Sequence, residues 1–306
     1  MGRFKPKFRN LFILILLILV LFAAGQAEAR VIFFQEDPVG DENGPGDFLY
    51  PTHRHFDPYE GLFDLTSIKI EEEGDYYIFQ LAFARITDPW QSRYGFSHPL
   101  IEIYIDNLDG GEVIPFRPGS GIVFSPRAPW DYLLKCTGWW VRGFTPADRR
   151  EIAEGGIPWN AQENPWDIPG ASAQVLDDGK TIEIVVPAEA FKVEGNIYVL
   201  IGSFDPFGPD HFRDIRPEAG AWEFGGAADG EYYPRTLDIL VPQGKRQSSI
   251  LSSYDREKEN YARLEPVSIG SRNPSWLTRP FWILTIALII AGAALLWRRR
   301  DIFFGE

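Results

Sequence analysis

The sequence is poor in the residues that build disulfide-bonded and metal-centred scaffolds. Cys136 is the only cysteine among 306 residues, so the chain can form neither an internal disulfide nor a cysteine-based zinc site. Cys136 lies in an apolar segment and is expected in the core. Of four histidines, His53 and His55 could place two imidazoles on one face of a strand. Two ligands alone are a weak metal signal, and surface polar residues are the simpler interpretation.

Recognisable catalytic motifs are also absent from the sequence. It contains no Gly-x-Ser-x-Gly, no His-Glu-x-x-His, no P-loop and no Rossmann glycine pattern. A glycosidase needs only two correctly placed carboxylates, so composition leaves a hydrolase open as an alternative. The absence of these motifs nevertheless favours a protein that is not an enzyme.

Basic residues are outnumbered by acidic ones. The chain has 30 Lys and Arg against 43 Asp and Glu, which gives a formal net charge of -13. Such a charge repels nucleic-acid phosphates and anionic lipid headgroups, so we expect no nucleic-acid partner. Neutral ligands and cations are the partners that this charge still allows.

Long apolar runs occur only near the two ends of the chain. At the start, basic residues precede an apolar run over 11–24, and Ala27-Glu28-Ala29 offers small residues at the two positions that determine cleavage. This order predicts a secretory signal peptide over residues 1–29. An uncleaved signal anchor is the alternative.

The C-terminal region combines a polar segment with an apolar run. Residues 243–275 are polar and charge-mixed, and we interpret them as a juxtamembrane stalk with a short helix around residues 255–264. Residues 276–297 predict a transmembrane helix, and the three arginines at 298–300 place residues 298–306 in the cytoplasm. A buried core helix is the alternative for the apolar run. We therefore expect a single-pass protein of the cell membrane with its N-terminal domain outside the cell.

Between these ends the apolar residues alternate at the period of β-strands. The alternation is plain in residues 77–83, 101–105 and 182–186. The chain has 29 glycines, 24 prolines and 15 % aromatic residues, a composition typical of many short strands joined by turns. The pattern predicts an all-β domain over residues 30–242, folded as a two-sheet antiparallel β-sandwich.

A series of short motifs runs along nearly all of residues 31–241. In chain order they are Asp37-Pro-Val-Gly-Asp-Glu-Asn-Gly-Pro-Gly-Asp47, Tyr50-Pro-Thr52, Phe63-Asp-Leu-Thr66, Asp88-Pro-Trp90, Gly95-Phe-Ser97, Ile101-Glu-Ile-Tyr-Ile-Asp106, Trp130-Asp131, Gly138-Trp139, Gly202-Ser-Phe-Asp205, Trp222-Glu-Phe-Gly-Gly226 and Leu237-Asp238. Together they resemble the C-terminal binding domain of glucodextranase, which is similar to family 9 carbohydrate-binding modules and to DOMON-like sandwiches of jelly-roll type. The resemblance implies a non-catalytic β-sandwich that holds sugar polymers or cell-surface material.

The resemblance also bears on architecture and cofactors. The related domain is usually appended to a hydrolase, whereas this chain leaves no room for a catalytic domain, so we expect a stand-alone module. Some DOMON-like domains bind haem through Met or His ligands. The only methionine is Met1, in the predicted signal peptide, so we expect no haem, although a histidine pair remains the alternative.

An acidic Gly/Pro-rich loop predicts a calcium site. Its candidate ligands are Asp37, Asp41, Asn43 and Asp47, with Glu42 between them, and a distant carboxylate such as Asp64 or Asp106 would complete the shell. Several hard oxygens on flexible backbone suit calcium, whose role here would be structural. The alternative is a solvated acidic turn whose side chains cap the local backbone.

The tryptophans, ten in number, predict a sugar-binding surface. Sugar rings present apolar faces that stack on exposed aromatic planes. Trp90, Trp159 and Trp166 lie in Pro-containing loops, and Trp140 could be the exposed member of the Trp139-Trp140 pair. Each of them could instead fold back onto the core. For the remaining tryptophans on or beside strands, Trp130, Trp139 and Trp222, we expect burial.

Three functional hypotheses follow from these features. The first is a membrane-tethered, non-catalytic carbohydrate-binding module that holds an α-glucan-like polysaccharide near the membrane for partner hydrolases or transporters. The second is a structural cell-envelope protein that docks cell-wall material, surface-layer material or another protein. The third is a hydrolase or a haem protein.

Overall fold

The computed structural model describes residues 29–116, 118–148, 164–227 and 232–270. Within these ranges, none of the helices combines the length and the apolar character needed to cross a membrane. The predicted signal peptide apart from Ala29, the predicted transmembrane helix and the predicted tail all lie outside the described residues.

The first sheet contains five strands. They are β1 (Arg30–Glu36), β2 (Leu65–Glu73), β3 (Tyr76–Phe83), β8 (Ser172–Val175) and β9 (Thr181–Pro187). Their order in space is β1-β2-β3-β9-β8, and every neighbouring pair is antiparallel. Alternate residues of β3 are buried, because successive side chains of a strand point to opposite faces of the sheet.

The second sheet is built around two long strands that are buried along most of their length. Its members are β4 (Pro99–Asp106), β6 (Tyr132–Cys136), β7 (Val141–Phe144), β10 (Gly195–Ser203), β11 (Asp238–Ile239) and β13 (Val267–Ile269). The order is β11-β10-β4-β6-β7, and β13 pairs with the first residues of β10. All these pairings are antiparallel.

The two sheets enclose the main hydrophobic core. It includes Ile68, Ile70, Phe79, Leu81, Ile182 and Ile184 from the first sheet and Ile101, Ile103, Leu134, Val199 and Ile201 from the second. Each of these side chains is inaccessible to solvent. The predicted two-sheet antiparallel sandwich is therefore confirmed.

A third layer covers the outer face of the second sheet. It contains β5 (Ile122–Phe124), β12 (Ala262–Leu264), which pairs with β5 in parallel, and the short helix α1 (Gln247–Leu251). The outward residues of β4 and β10, such as Tyr104 and Leu200, pack against this layer in a second core cluster. This covering layer explains why β4 and β10 are buried on both faces.

The segment that we predicted as a stalk is part of this layer, so the predicted domain boundary at residue 242 is wrong. Leu251 and Ala262 are fully buried, and Leu264 is buried beside them. The helix spans Gln247–Leu251 and not residues 255–264, which contain a turn closed by a bridge between Asp255 and Asn260. The elements here are only three to five residues long, too short to show a hydrophobic period in the sequence.

Three long loops meet at one end of the sandwich. β2 begins opposite the end of β3, where Leu65 faces Phe83, and β4 begins opposite the end of β10, where Pro99 faces Ser203. The connections 37–64, 84–98 and 204–237 therefore meet at this end, which we call the loop end. The tip of a sandwich is where loops gather to form binding surfaces.

Candidate functional site

Four aromatic side chains form a surface at the loop end. The indole of Trp222 stacks on the His53 imidazole with ring centroids 3.9 Å apart and planes 25° apart. His55 meets both rings edge-on, and Trp90 lies 6.4 Å from Trp222. Trp222 is 38 % exposed, and the other three are half-buried. We call these four residues the aromatic platform.

Backbone pairing fixes the two chain segments that carry this platform. The Thr52 amide donates to the Gly220 carbonyl at 2.9 Å, and the His53 amide donates to the Ala221 carbonyl at 3.0 Å. The pairing continues to a bridge between Leu49 and Gly225. At the next residue, Gly226, φ is +100° and a Cβ would come within 2.3 Å of the Asp47 carbonyl oxygen. Glycine alone tolerates that conformation and that approach.

A buried arginine holds the Trp222 backbone in place. The Arg213 guanidinium donates to the Trp222 carbonyl at 3.0 Å, to the Phe204 carbonyl at 2.8 Å and to Ser203 Oγ at 3.1 Å. It also lies over the Phe56 ring, 5.2 Å from its centroid. The platform is therefore rigidly supported from below, and a rigid aromatic face loses little entropy when a ligand stacks on it.

His98 lies directly beneath the platform. It is 1 % exposed, and its ring centroid lies 4.9 Å from those of Trp90 and Phe56. Burial, helped by the charges of Arg213 and His55, lowers the pKa of His98 to about 3, although the His55 backbone and the charge of Asp88 oppose the shift. His98 is therefore a neutral member of an aromatic layer at physiological pH.

We expect His98 to make the fold sensitive to acid. The unfolded chain binds a proton near pH 6.5 but the folded state does so only near pH 3, so the stability present above about pH 6.5 is lost as the pH falls. The variant His98→Phe should lack this loss. Between about pH 7 and pH 4, the free energy of unfolding should therefore fall by about 3 kcal/mol more for the wild type than for the variant. Urea unfolding across this range measures the difference, and parallel pH profiles for the two proteins would contradict the assignment.

The predicted sugar-binding tryptophans do not form one surface. Trp90 belongs to the aromatic platform. Trp166 is half-buried beside Phe144, 5.7 Å away, in the outer layer of the second sheet. Trp140 is 5 % exposed and packs under the Arg142 guanidinium, so it offers no free face to a ligand. Trp159 lies outside the described residues.

A cluster of two buried carboxylates and one half-buried carboxylate forms a second feature of the loop end. Asp37, Asp41 and Asp238 each bring a carboxylate oxygen within 4.8 Å of the others, and this acidic triad could hold a metal ion. Asp238 is fully buried, and its carboxylate accepts from the amides of Leu65 and Ile239, both at 2.7 Å. Oxygen-only ligands suit hard cations.

Burial perturbs all three carboxylates in the same direction. Burial, followed by the charge of Asp41 and then that of Asp64, raises the pKa of Asp37 to about 8 against partial opposition from the Val241 amide. Burial also raises the pKa values of Asp41 and Asp238, and the charges of Asp37 and Asp41 add to the effect on Asp238. A cation in the triad would remove this mutual repulsion.

The other predicted calcium ligands have different positions. Asp64 adjoins the triad, and both of its carboxylate oxygens accept from the Gly40 amide at about 3 Å. Asn43 is half-buried and uses its backbone carbonyl to close the local turn. Asp47 accepts from the Tyr233 hydroxyl at 2.9 Å. Asp106 ends β4, on the far side of the sandwich from the loop end, where Asn196 donates to it at 2.8 Å.

A groove of about 1020 Å³ runs along the loop that joins β1 to β2. Its lining combines the exposed apolar side chains of Val39, Leu49 and Tyr59 with polar residues that include Thr52 and Arg85. Mixed apolar and polar lining is typical of sites for neutral polar ligands.

Sequence reasoning missed four residues of these features, His53, His55, Trp222 and Asp238. The two histidines were interpreted as surface polar residues and not as part of a ligand surface. Trp222 was expected in the core, but Phe224 takes the buried position and Trp222 remains exposed. Asp238 carried a usable signal, because an acidic residue interrupts the apolar run 237–241 and buried acids are rare without a partner.

Cys136 is fully buried, as expected, and burial raises the pKa of its thiol.

Comparison with known proteins identifies the family. No curated protein matches the chain. A family model described as the C-terminal binding-module, SLH-like, of glucodextranase matches residues 32–266. The match covers most of the chain and includes β12, which agrees with the packing of the predicted stalk against the sandwich. The protein belongs to the family of glucodextranase C-terminal binding modules.

Proposed function

We propose that the protein is a non-catalytic carbohydrate-binding module of the cell surface. Its ligand would be an α-glucan-like polysaccharide, held near the membrane for partner hydrolases or transporters. The observation that carries this proposal is the aromatic platform, whose exposed Trp222 ring is backed by His53 at the loop end of a binding-module sandwich.

The chemistry of the platform fits a neutral sugar. The flat face of an indole packs against the axial C–H groups of a pyranose ring, while neighbouring polar groups bond its hydroxyls. Thr52 and Arg54 are exposed beside His53 and can supply such hydrogen bonds. Partial loss of hydration and the charges of His53 and Arg54 lower the pKa of His55, which favours an uncharged imidazole at neutral pH.

The location and the cofactor belong to the same proposal. We place the module outside the cell, tethered by the predicted helix 276–297 after removal of the predicted signal peptide. Its cofactor would be a structural calcium ion, because external calcium is abundant and the acidic triad offers only carboxylate oxygens. We propose no haem.

The family description supports a second candidate function. The matched model is described as SLH-like, which favours a structural envelope protein that docks cell-wall or surface-layer material or another protein. The exposed ring of Phe207, 90 % accessible on a loop-end turn, would suit such a contact.

Affinity electrophoresis of the detergent-solubilised full chain tests the proposal. Native gels contain starch, pullulan, dextran or cell-wall polysaccharide, and bovine serum albumin serves as a non-binding control. We expect an α-glucan to retard the chain without release of reducing sugar. Retardation by cell-wall polysaccharide alone would favour the second candidate, and release of reducing sugar would contradict a non-catalytic module.

A further inference from the structure

The acidic triad and the aromatic platform share one stretch of chain. Asp37 and Asp41 begin the connection that follows β1, and the same connection carries His53 and His55 before the chain enters β2. The third triad residue, Asp238, lies in β11, far away in sequence. Whatever occupies the triad therefore joins the start of the platform-bearing loop to the second sheet.

Asp37 indicates what that occupant is. The residue is 6 % exposed, and neither of its carboxylate oxygens has a hydrogen-bond partner of good geometry within the described residues. One carboxylate oxygen of Asp41 is buried without a partner as well. Burying a carboxylate without a partner is costly. Two unpaired Asp37 oxygens beside further carboxylates are therefore the arrangement expected around a bound cation.

We propose that a calcium ion bound by Asp37, Asp41 and Asp238 is required for the aromatic platform to bind its glycan. This inference rests on the proposed function and adds to it a control of that same site. Asp64 adjoins the triad and would support the ion from the second shell while its carboxylate holds the Gly40 amide.

The first link from the ion to the platform is the base of the loop. The Gly44 amide donates to the Leu237 carbonyl at 2.9 Å, next to Asp238. The Gln247 side chain donates to the carbonyls of Asp41 and Leu237 and accepts from the Ile239 amide at 2.7 Å. These bonds align the Asp41 side of the triad with β11, and we expect repulsion between the carboxylates to weaken them when no cation is bound.

The second link is the body of the same loop. Glu42 accepts from the Tyr50 hydroxyl at 2.6 Å and from the amides of Gly61 and Phe63, and so ties the outgoing and returning arms of the loop together. Between those arms, the pairing of residues 52–53 with residues 220–221 sets His53 against Trp222. Loosening the base of the loop would therefore separate the stacked rings.

Calorimetry tests the metal site first. CaCl2 is titrated into chelator-treated full chain in detergent, and we expect binding of one ion per chain with weaker binding of MgCl2, since Mg²⁺ demands a tighter octahedral shell. Asp37→Asn and Asp41→Asn should each weaken calcium binding at least about tenfold. The matched control is Asp177→Asn, which removes the same charge from an exposed turn and should leave binding unchanged.

Glycan binding with and without calcium then tests the coupling. The affinity for maltoheptaose should fall at least about tenfold when the wild type is transferred from calcium to chelator, and the Asp37→Asn variant should show the low affinity in both buffers. Circular dichroism verifies that each sample is folded; if Asp37→Asn is not, the more exposed Asp41→Asn replaces it.

Each outcome separates one claim from the others. Absence of calcium binding by the folded wild type would overturn the metal site. Calcium binding with equal maltoheptaose affinity in both buffers would overturn the coupling alone. Calcium binding without maltoheptaose binding in either buffer would overturn the proposed function, and the coupling with it, while the metal site would stand.

Discussion

Replacement of Lys135 by methionine is expected to lower the free energy of unfolding by about 3–5 kcal/mol, because it breaks a buried ion pair on one side only. The Lys135 ammonium is 1 % exposed and lies 2.8 Å from Glu102 Oε1 and 3.0 Å from Asp210 Oδ1. It also donates to the Asp210 carbonyl at 2.8 Å. The ammonium therefore has two carboxylate partners and one carbonyl acceptor inside the protein.

The partners of Lys135 explain why the loss is large. Glu102 is fully buried, and burial raises its pKa although the lysine opposes the shift. Burial acts to lower the pKa of Lys135, but the charges of Asp210 and Glu102 more than compensate, so the pKa is raised. Without the ammonium, two buried carboxyls must take up protons or remain charged without a counter-ion.

Urea unfolding at neutral pH measures this effect. Lys245→Met removes an exposed ammonium that forms no described ion pair, and it should change stability by less than about 0.5 kcal/mol. The double variant Lys135→Met, Glu102→Gln should recover part of the loss, because it also removes the uncompensated charge. A Lys135→Met protein as stable as the Lys245→Met control would show that the buried pair contributes nothing.

The change Trp222→Ala is expected to weaken α-glucan binding about 30-fold or more, equivalent to about 2 kcal/mol. It removes the most exposed ring of the aromatic platform and the face on which His53 stacks. Because the side chain is 38 % exposed, the fold should survive the change. Trp222→Phe should retain part of the affinity, since a smaller ring still offers a flat face.

A second tryptophan provides the comparison. Trp166 is also half-buried, but it packs on Phe144 away from the loop end. Calorimetry with maltoheptaose should show wild-type affinity for Trp166→Ala and a large loss for Trp222→Ala. The reverse pattern would place the glycan on the outer layer of the second sheet, and equal affinities for all three proteins would remove both rings from the site.

The sequence contained enough information for the two sheets but not for the layer over one of them. Alternation in residues 77–83 and 182–186 predicts β3 and β9, because one face of each strand is buried and the other is partly exposed. In β12, three residues with a buried-exposed-buried pattern are too few to distinguish from chance. Their position depends on β5, about 140 residues earlier, which no local pattern encodes.

The candidate site was predictable only in part, for a similar reason. Asp37 and Asp41 lie in one recognisable acidic loop, but Asp238 reaches them through the pairing of β11 with β10. Trp90 was recognised from its Pro-containing loop. Trp222 was expected to be buried because it neighbours a strand-like segment, but it lies in a bend just before that segment and stays exposed, whereas Phe224 is buried.

The most direct test of the central claim observes the tryptophan rings during glycan binding. Nitrogen-15 labelling of the full chain in detergent gives an indole N–H signal for each of ten tryptophans, assigned by single Trp→Phe variants. On addition of maltoheptaose with calcium, we expect the signals of Trp222 and Trp90 to shift. The signal of Trp130, whose buried indole donates to the Ile114 carbonyl at 2.8 Å, should stay in place. Unchanged Trp222 and Trp90 signals at saturating glycan would contradict a carbohydrate site on the aromatic platform.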